Sequence, residues 1–285
     1  MANEQQSTYW RGRSGSVWVE RQEALDRELD DLGQLALDRL AARPGERILD
    51  VGCGCGSTSM ALARAVGPDG AVVGVDFSTP QVEAARERAA GAGLDQLTFV
   101  DADAQAEPIP GGPFDAAYSR FGVMFFNDPV AAFANVHAAM APAARLGFVC
   151  WQGAEANPWF GVPARALAGL PGLELPPPPP PEAPGPLALA DPERLGAILT
   201  AAGWKGIAVE GAEDDLVLEP GVLDEWVRFV TRQGPIGELL TAAPEDVQRE
   251  ATTRVRARME SEGHREGLAG LRFPRGAWVV TARAG

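Results

Sequence analysis

Ile-Leu-Asp-Val-Gly-Cys-Gly-Cys-Gly, residues 48–56, is the stretch that decides the fold. An apolar run ends at Asp50, and glycines follow at positions 52, 54 and 56. This pattern predicts a buried strand that enters a tight glycine turn, followed by a helix from residue 57 onward. Because glycine lets the chain turn sharply and lets a ligand approach main-chain atoms, the turn predicts a site for a nucleotide-like cofactor.

The spacing of the glycines separates two kinds of cofactor. The dinucleotide fingerprint is G-x-G-x-x-G, whereas this turn is G-x-G-x-G and has Ser57 at the third fingerprint position. An NAD-linked oxidoreductase is therefore disfavoured. Asp50 directly precedes the turn, where we expect it to hold the amino end of a zwitterion.

Two later strand ends carry acidic residues that suit a nucleoside. The strand predicted over 71–76 ends in Asp76, and an acid at this place can bind both ribose hydroxyls. The strand predicted over 97–100 is followed by Asp103-Ala104, which is placed to meet an adenine edge. The glycine turn and these acids follow one another in the order that a nucleoside site requires.

In these residues the chain resembles the class I S-adenosylmethionine-dependent methyltransferases, over about residues 43–151. The first motif of that family corresponds to residues 49–56 and the fourth to residues 114–121. The string from Ser119 to Phe126 is similar to a bacterial small-molecule subgroup, broadly like the quinone-biosynthesis methyltransferases. The family usually has Pro-Gly-Gly before its fifth strand, and this chain departs from it with Pro-Ala-Ala-Arg at 142–145.

The resemblance implies S-adenosyl-L-methionine as cofactor, S-adenosyl-L-homocysteine as product and no metal. It assigns a set of residues to cofactor binding, with Ser119 and Arg120 offering main-chain carbonyls: Asp50, Gly52, Cys53, Gly54, Asp76, Phe77, Asp103, Ala104, Ser119 and Arg120. Aromatic and apolar residues near strand ends are candidates for an acceptor pocket, where rings also attract a sulfonium cation: Trp18, Phe121, Met124 and Trp159. Core packing is the competing role for these four. The sequence names no catalytic base.

Composition narrows the range of partners. The chain has 285 residues, a formal net charge of −14 and 46% hydrophobic residues. An acidic surface disfavours nucleic acid and anionic membranes, because neutralising phosphates requires a basic surface. There are three cysteines, and an odd number with two of them inside the glycine turn does not form a disulfide framework. With no apolar signal region at the N-terminus, these features predict a cytoplasmic protein.

Strand and helix patterns alternate between residues 47 and 151, which predicts a parallel sheet with helices on both faces. We expect an α/β fold, a doubly wound and mostly parallel seven-stranded sheet of the Rossmann-like methyltransferase type, with an antiparallel last strand over 277–282 and a lid of helices and loops over the active site. The predicted parts are an N-terminal helical segment and cap (1–42, with one helix over 16–42), a cofactor-binding core (43–151), a proline-rich lid loop (152–190), and remaining core strands with a helical cap insertion at about 218–274 (191–285).

The predicted function is transfer of a methyl group to a small acceptor, aromatic or natural-product-like, at oxygen, nitrogen or carbon. A methyltransferase acting on a protein or another macromolecule is one alternative, and a non-catalytic cofactor-binding protein on the same fold is another. The polyproline stretch Pro176–Pro181 is interpreted as a stiff strap, with a ligand for a proline-recognising domain as the alternative. Either a monomer or a homodimer fits the sequence.

Overall fold

A computed structural model of the chain describes residues 3–219, 221–265 and 270–285. The chain divides into two compact units. Unit 1 comprises Met1–Trp151, Pro181–Ala212 and Ala277–Gly285, and unit 2 comprises Gln152–Pro180 and Glu213–Gly276. Residues 220 and 266–269, which belong to the predicted cap insertion, lie outside the described residues. The division places most of that insertion in unit 2 together with the predicted proline-rich loop.

The central sheet is mostly parallel, as predicted. Its strands are β1 (Arg47–Val51), β2 (Ala71–Asp76), β3 (Leu97–Asp101), β4 (Phe114–Arg120), β5 (Met140–Trp151), β6 (Trp204–Leu218), β7 (His264–Arg265) and β8 (Leu271–Ala284). Seven of them follow one path, β3-β2-β1-β4-β5-β8-β6, and the two-residue β7 pairs with β8 off this path. Strands β1 to β5 pair in parallel, and β8 runs antiparallel to β5. The predicted α/β fold is confirmed, and the switch in strand order between β1 and β4 opens a crevice at the strands' carboxyl ends.

Eleven helices are present in the described residues. They are α1 (Glu4–Arg11), α2 (Arg13–Glu20), α3 (Gln22–Leu40), α4 (Ser57–Val66), α5 (Thr79–Ala92), α6 (Pro129–Ala138), α7 (Val162–Leu167), α8 (Pro192–Ala201), α9 (Val222–Val230), α10 (Gly234–Ala242) and α11 (Glu245–Glu262), besides two short 3₁₀ helices at Val123–Phe125 and Pro158–Gly161. Asp191 caps α8 by accepting hydrogen bonds from the Glu193 and Arg194 amides at 2.9 and 3.2 Å, and Pro192 suits the first helical turn. No helix of the described residues is long and apolar enough to cross a membrane.

The N-terminal segment differs from the prediction of one helix over 16–42. Arg21 leaves the helical conformation with φ −113° and ψ 9°, so the segment turns between α2 and α3. The Arg21 side chain is buried, and its guanidinium pairs with Glu28 at 2.6 Å. The predicted single helix is therefore divided at Arg21 into α2 and α3.

Unit 1 has its core around the first four strands. Ile48, Leu49 and Phe114 have no solvent exposure, as expected for parallel strands covered on both faces. Tyr118 of β4 is equally buried and donates its hydroxyl to the Gly33 carbonyl of α3 at 2.9 Å. Burial of these side chains therefore holds β1 and β4 in place, and the predicted site lies at the carboxyl ends of these two strands.

Unit 2 has an apolar core of its own. The buried members of this core come from helices and strand segments of the unit: Val162, Leu167, Leu170, Leu216, Leu218, Leu223, Trp226, Val227, Leu240, Ala251, Val255, Met259, Leu271 and Phe273. The region 152–190, predicted as a loop, thus contains α7. Within the predicted helical insertion the sequence pattern favours helices over 222–233 and 244–262, and α10 lies between them. Residues 176–181 are exposed and have no regular secondary structure. The predicted role of these segments as a cap stays a prediction.

Candidate active site

The glycine turn after β1 is held in conformations that favour glycine. Gly52, Gly54 and Gly56 have φ of 66°, 53° and 79°, a region that side chains disfavour. A Cβ at Gly52 would lie 2.7 Å from the Gly122 Cα, so the turn packs directly against the backbone that follows β4. The Gly52 amide donates to the Val75 carbonyl of β2 at 2.8 Å. The turn is thereby pinned between the two neighbouring strands.

Asp76 closes the same turn from the end of β2. Its two carboxylate oxygens accept hydrogen bonds from the Gly54 amide at 2.9 Å and the Ser78 amide at 2.8 Å. Burial raises the pKa of Asp76 to about 6, against the opposing effect of these two amides, and the nearby Asp50 and Asp101 raise it further. The carboxylate thus lies at the mouth of the glycine turn with both oxygens oriented by backbone.

Asp50 lies beneath the turn with no solvent exposure. One oxygen, Oδ2, accepts hydrogen bonds from the Thr58 hydroxyl at 2.7 Å and the Ser59 hydroxyl at 2.5 Å. The other, Oδ1, has no hydrogen-bond partner among the described residues. Burial raises the pKa of Asp50, while the two hydroxyls and the charge of Arg120 lower it. A buried carboxylate oxygen without a donor is costly, so this oxygen suits a donor supplied by a ligand.

A pocket opens over the turn, with about 790 Å³ of space not occupied by atoms, its open mouth included. Its lining residues all belong to unit 1 and are Trp10, Trp18, Gln22, Leu25, Asp26, Leu29, Gly52, Cys53, Gly54, Cys55, Thr58, Asp76, Phe77, Gln81, Arg120, Phe121, Gly122 and Phe125. Eight predicted cofactor or pocket residues are in this list, and seven of them, all but Trp18, come from the motifs after β1, β2 and β4, which the fold brings together.

The opposite side of the pocket is a helical wall formed by Trp10, Trp18, Gln22, Leu25, Asp26 and Leu29. Four of these residues, from Gln22 to Leu29, have the spacing i, i+3, i+4, i+7 of one face of α3. The Trp10 ring packs edge-on against Trp18 at 5.5 Å and Phe125 at 5.0 Å between centroids. The sequence pattern pointed to Trp18 but not to the α3 residues of this wall. A usable signal was present, because two polar residues interrupt the apolar face of α3.

An ion-pair network lies on this wall. Asp26 accepts a hydrogen bond from Arg120 Nη2 at 2.6 Å and another from Arg88 Nη2 at 3.1 Å. Arg88 also donates through Nη1 to the Cys55 carbonyl at 2.6 Å. The network therefore ties α3 to β4, α5 and the glycine turn. The Arg120 side chain, and not only its predicted main-chain carbonyl, is thus part of the site, because it contacts Asp26 of the helical wall.

The predicted adenine pair has a different environment from the pocket. Asp103 and Ala104 follow β3 and do not line the pocket. The Asp103 carboxylate accepts hydrogen bonds from the Asn3 side-chain amide at 3.3 Å and the Gln105 amide at 2.9 Å. Both hydrogen bonds are made to Oδ1, so the N-terminal segment contacts the carboxylate that the sequence assigns to an adenine amino group. The role of Asp103 and Ala104 stays a prediction.

The remaining predicted residues divide between wall and core. Phe121 lines the pocket with φ 56°, rare for a non-glycine residue, and stacks on Trp151 with centroids 4.0 Å apart. Ser119 is 1% exposed and Met124 is 2% exposed, and neither lines the pocket. The Trp151 amide donates to the Met124 sulfur at 3.5 Å, so Met124 packs in the core below Phe121. Trp159 belongs to unit 2, where its ring lies 6.1 Å from Trp226.

The cysteines do not suggest reactive thiols. Cys53, Cys55 and Cys150 are free and buried, and burial raises the pKa of each. Protonated thiols are poor nucleophiles and poor metal ligands. Within the described residues, no group of three or more His, Cys, Asp or Glu side chains could hold a metal ion. Cys53 and Cys55 thus act as small residues that fill the turn.

This geometry is that of a class I methyltransferase fold, and comparisons with known proteins agree. The chain superposes on the crystal structure of the YcgJ protein from Bacillus subtilis with a TM-score of 0.58 at 17% identity, covering 90% of this chain and 97% of that one. Residues 48–143 match the sequence family described as "Methyltransferase domain".

Two curated relatives have a higher sequence identity to this chain. A nocamycin O-methyltransferase from Saccharothrix syringae is 36% identical over 111 residues, which are 39% of this chain and 40% of that protein. A demethylmenaquinone methyltransferase from Thermus thermophilus is 37% identical over 111 residues, 39% of this chain and 50% of that protein. The chain thus matches at most about half the length of these relatives. Residues 48–143 are thus similar to a methyltransferase domain, and the resemblance to the class I S-adenosylmethionine-dependent methyltransferases is confirmed.

Proposed function

We propose that this protein is an S-adenosylmethionine-dependent methyltransferase acting on a small molecule. The observation that carries the proposal is the position of Asp76, whose carboxylate is oriented by the Gly54 and Ser78 amides at the mouth of the pocket. Phe77 lines the pocket beside it, next to the glycine turn. This arrangement suits a ribose on the carboxylate and a ring on Phe77.

The charges favour a sulfonium cofactor over a dinucleotide. Asp50 is fully buried under the turn and has one oxygen without a donor. A diphosphate at the turn would meet the negative charges of Asp50 and Asp76, whereas an ammonium group and a sulfonium would be attracted to them. The absence of the G-x-G-x-x-G spacing supports the same choice.

The reaction proposed is in-line transfer of a methyl group. The carbon–sulfur bond breaks with its electron pair left on sulfur, the acceptor atom forms the new bond to carbon, and the acceptor's proton is released to solvent or to a base. Holding the two reactants in line can supply several kcal/mol of the barrier, about 7 or more in favourable cases. A strong base is therefore not required when the acceptor is already nucleophilic, and the pocket presents no histidine.

A flat, apolar acceptor fits the lining residues best. Trp10, Trp18, Phe121 and Phe125 supply rings on the walls of the pocket, and rings of this kind stack on flat substrates and attract a sulfonium. The relatives named for nocamycin and demethylmenaquinone are methyltransferases of small molecules. We propose an aromatic or natural-product-like acceptor methylated at oxygen, nitrogen or carbon, and a cytoplasmic enzyme that is monomeric or dimeric.

Calorimetric titration with S-adenosylmethionine, S-adenosylhomocysteine and NAD tests the cofactor. We expect the first two to bind in the micromolar range and NAD to show no binding. Asp76→Ala should weaken S-adenosylhomocysteine at least about tenfold, because a hydrogen bond to a charged acceptor contributes about 1.5–3 kcal/mol. Asp115→Ala is the matched control, since Asp115 also accepts a backbone hydrogen bond, from Arg47 at 2.9 Å, but does not line the pocket.

Turnover is tested separately with methyl-labelled S-adenosylmethionine and a panel of phenols, quinols and polyketide aromatics. Label transferred to a small aromatic supports the proposal. Tight cofactor binding with label transferred only to added proteins or RNA would indicate a macromolecular acceptor. NAD binding without S-adenosylmethionine binding would overturn the proposal altogether.

A further inference from the structure

The pocket of unit 1 has an uneven charge inventory. Its described lining contains two carboxylates, Asp26 and Asp76, with Asp50 buried directly below, and a single cationic side chain, Arg120. A zwitterionic amino-acid group needs an anion for its ammonium and a cation for its carboxylate. For a carboxylate bound in this pocket, Arg120 is therefore the one side chain of opposite charge in the described lining.

Arg120 has a free hydrogen-bonding site. Its Nη2 donates to Asp26 at 2.6 Å, but its Nη1 is buried and has no hydrogen-bond partner among the described residues. The nearest carboxylate oxygen recorded for Nη1 is that of Asp30, 3.9 Å away on an exposed side chain. Leaving a buried charged donor unpaired is costly, so the guanidinium is one hydrogen-bond acceptor short.

The structure holds Arg120 at the carboxyl end of β4, close to the buried acid. The side chain is 12% exposed, and Gly33 of α3 leaves room for it, since a Cβ there would lie 2.6 Å from the Arg120 Cδ. Asp26 fixes one edge of the guanidinium. The positive charge of Arg120 is felt at Asp50, whose pKa it lowers. The Arg120 guanidinium, a donor for an anion, and the Asp50 carboxylate, an acceptor for a cation, thus lie near each other at the ends of β4 and β1.

We infer that the Arg120 guanidinium binds the carboxylate at the amino-acid end of the cofactor, with Asp26 as the positioning residue. The inference rests on the proposed function and adds a specific contact to it. Asp50 Oδ1 then accepts from the ammonium group of the same ligand, so that both unpartnered buried atoms are satisfied by one amino-acid moiety. An anionic oxygen of the acceptor is the other source of the same chemistry, and the ligands below separate the two.

The experiment pairs a change in the protein with the matching change in the ligand. Dissociation constants are measured for S-adenosylmethionine and for decarboxylated S-adenosylmethionine, which keeps the ammonium and the sulfonium. Arg120→Gln should weaken S-adenosylmethionine at least about tenfold, the effect of losing a charge-assisted hydrogen bond. The same variant should change the affinity for the decarboxylated ligand less than about threefold. The substitution of Arg120 and the removal of the ligand's carboxylate would then be strongly coupled in their effect on affinity.

Two further variants separate binding from folding. Arg145→Gln removes an equally buried arginine, 16% exposed and paired with Glu46 at 2.7 Å, away from the pocket lining. It should leave both dissociation constants unchanged. Arg120→Lys keeps the charge and should recover part of the lost affinity, but not all of it, because an ammonium lacks the planar fork of a guanidinium.

The outcomes distinguish this inference from the proposed function. If wild-type protein binds neither ligand, both fail. If wild type binds both ligands and Arg120→Gln weakens them equally, or weakens neither, the carboxylate contact is wrong while the cofactor site stands. An Arg120→Gln variant with unchanged cofactor affinity but an altered preference for acidic acceptors would overturn the inference in favour of an acceptor contact.

Discussion

The two walls of the pocket come from different kinds of sequence pattern. The glycine-turn wall, Gly52 to Gly54 with Asp76 and Phe77, comes from short motifs at the ends of adjacent strands. The helical wall comes from three helices at the N-terminus, and its residues are spread over an amphipathic pattern. One wall has its chemistry fixed by backbone geometry, and the other by side chains whose direction depends on how α3 packs on β4 and β5. The difference predicts that backbone changes act on the first wall and side-chain changes on the second.

The largest effect is expected at Gly52. In Gly52→Ala the new Cβ would lie 2.7 Å from the Gly122 Cα at a φ of 66°, so both a main-chain clash and an unfavourable conformation oppose it. We expect the free energy of unfolding to fall by about 3 kcal/mol or more, with no measurable binding of S-adenosylhomocysteine. Urea unfolding and calorimetry measure the two effects.

Gly93→Ala is the control for conformation alone. Gly93 has φ 64° at the end of α5, with no atom within 4 Å of a built Cβ. It should lower the unfolding free energy by about 1 kcal/mol and leave binding unchanged. Equal losses in the two variants would show that the close approach of the turn to Gly122 is not required.

The next effect is a pH dependence of the glycine-turn wall. Burial raises the pKa of Asp76 from 3.8 to about 6, and an ionised carboxylate accepts ribose hydroxyls better than a protonated one. Affinity for S-adenosylhomocysteine should therefore rise with pH up to about 6 and level off above it, with a slope of up to about tenfold per pH unit below. Calorimetry between about pH 5 and 8 measures this, and Asp76→Asn should give a flatter, weaker profile.

The same shift has the opposite sign for stability. Because the folded-state pKa of Asp76 lies above the unfolded value, the folded protein binds this proton more tightly, and its contribution to the unfolding free energy declines as pH rises from about 4 to 6. Binding and stability should thus respond to pH in opposite directions at this residue. Parallel responses would indicate that another group controls the affinity.

A smaller effect is expected where α1 crosses the ends of β2 and β3. Arg11 pairs with Asp101 at 2.6 Å and donates to Thr79 at 3.2 Å, and the Ser78 hydroxyl donates to the Trp10 carbonyl at 2.7 Å. Partly exposed ion pairs contribute up to about 1 kcal/mol. Arg11→Gln should therefore speed both entry and release of the cofactor by up to about fivefold, since the segment that holds Asn3 on Asp103 is loosened.

Stopped-flow tryptophan fluorescence measures this change, because Trp10 and Trp18 line the pocket. Arg39→Gln removes an exposed ion pair on α3, to Glu210 at 2.8 Å, outside the pocket lining, and should leave the rates unchanged. If Arg11→Gln also leaves them unchanged, α1 does not limit access to the glycine-turn wall.

The limits of sequence reasoning follow from the same contrast. The glycine turn and Asp76 could be predicted because neighbours in sequence remain neighbours in the site. Arg120 and Asp26 are 94 residues apart, and no local pattern joins them. Asp26 has the appearance of one more charged residue on a surface helix until α3 is packed on the sheet.

Helix α10 and the break at Arg21 were missed because the local sequence pattern is ambiguous at both places. Helix α10 begins with Gly234-Pro235, a pair that usually indicates a turn but also suits a first helical turn. The break at Arg21 was not predictable from periodicity, since the apolar spacing continues across it.

The smallest effect concerns residues 142–145, where the chain departs from the family pattern and the pairing of β5 with β4 shifts register. It tests whether the glycine-turn wall is insulated from the rest of the sheet. Ala143 is exposed and has φ 63°, where alanine costs about 1 kcal/mol relative to glycine. Ala143→Gly should therefore raise the unfolding free energy by about 1 kcal/mol. Ala134→Gly, at an exposed interior position of α6, should lower it by a similar amount. Because Ala143 does not line the pocket, neither change should alter cofactor affinity. A changed dissociation constant in Ala143→Gly would mean that residues 142–145 are coupled to the site through β5.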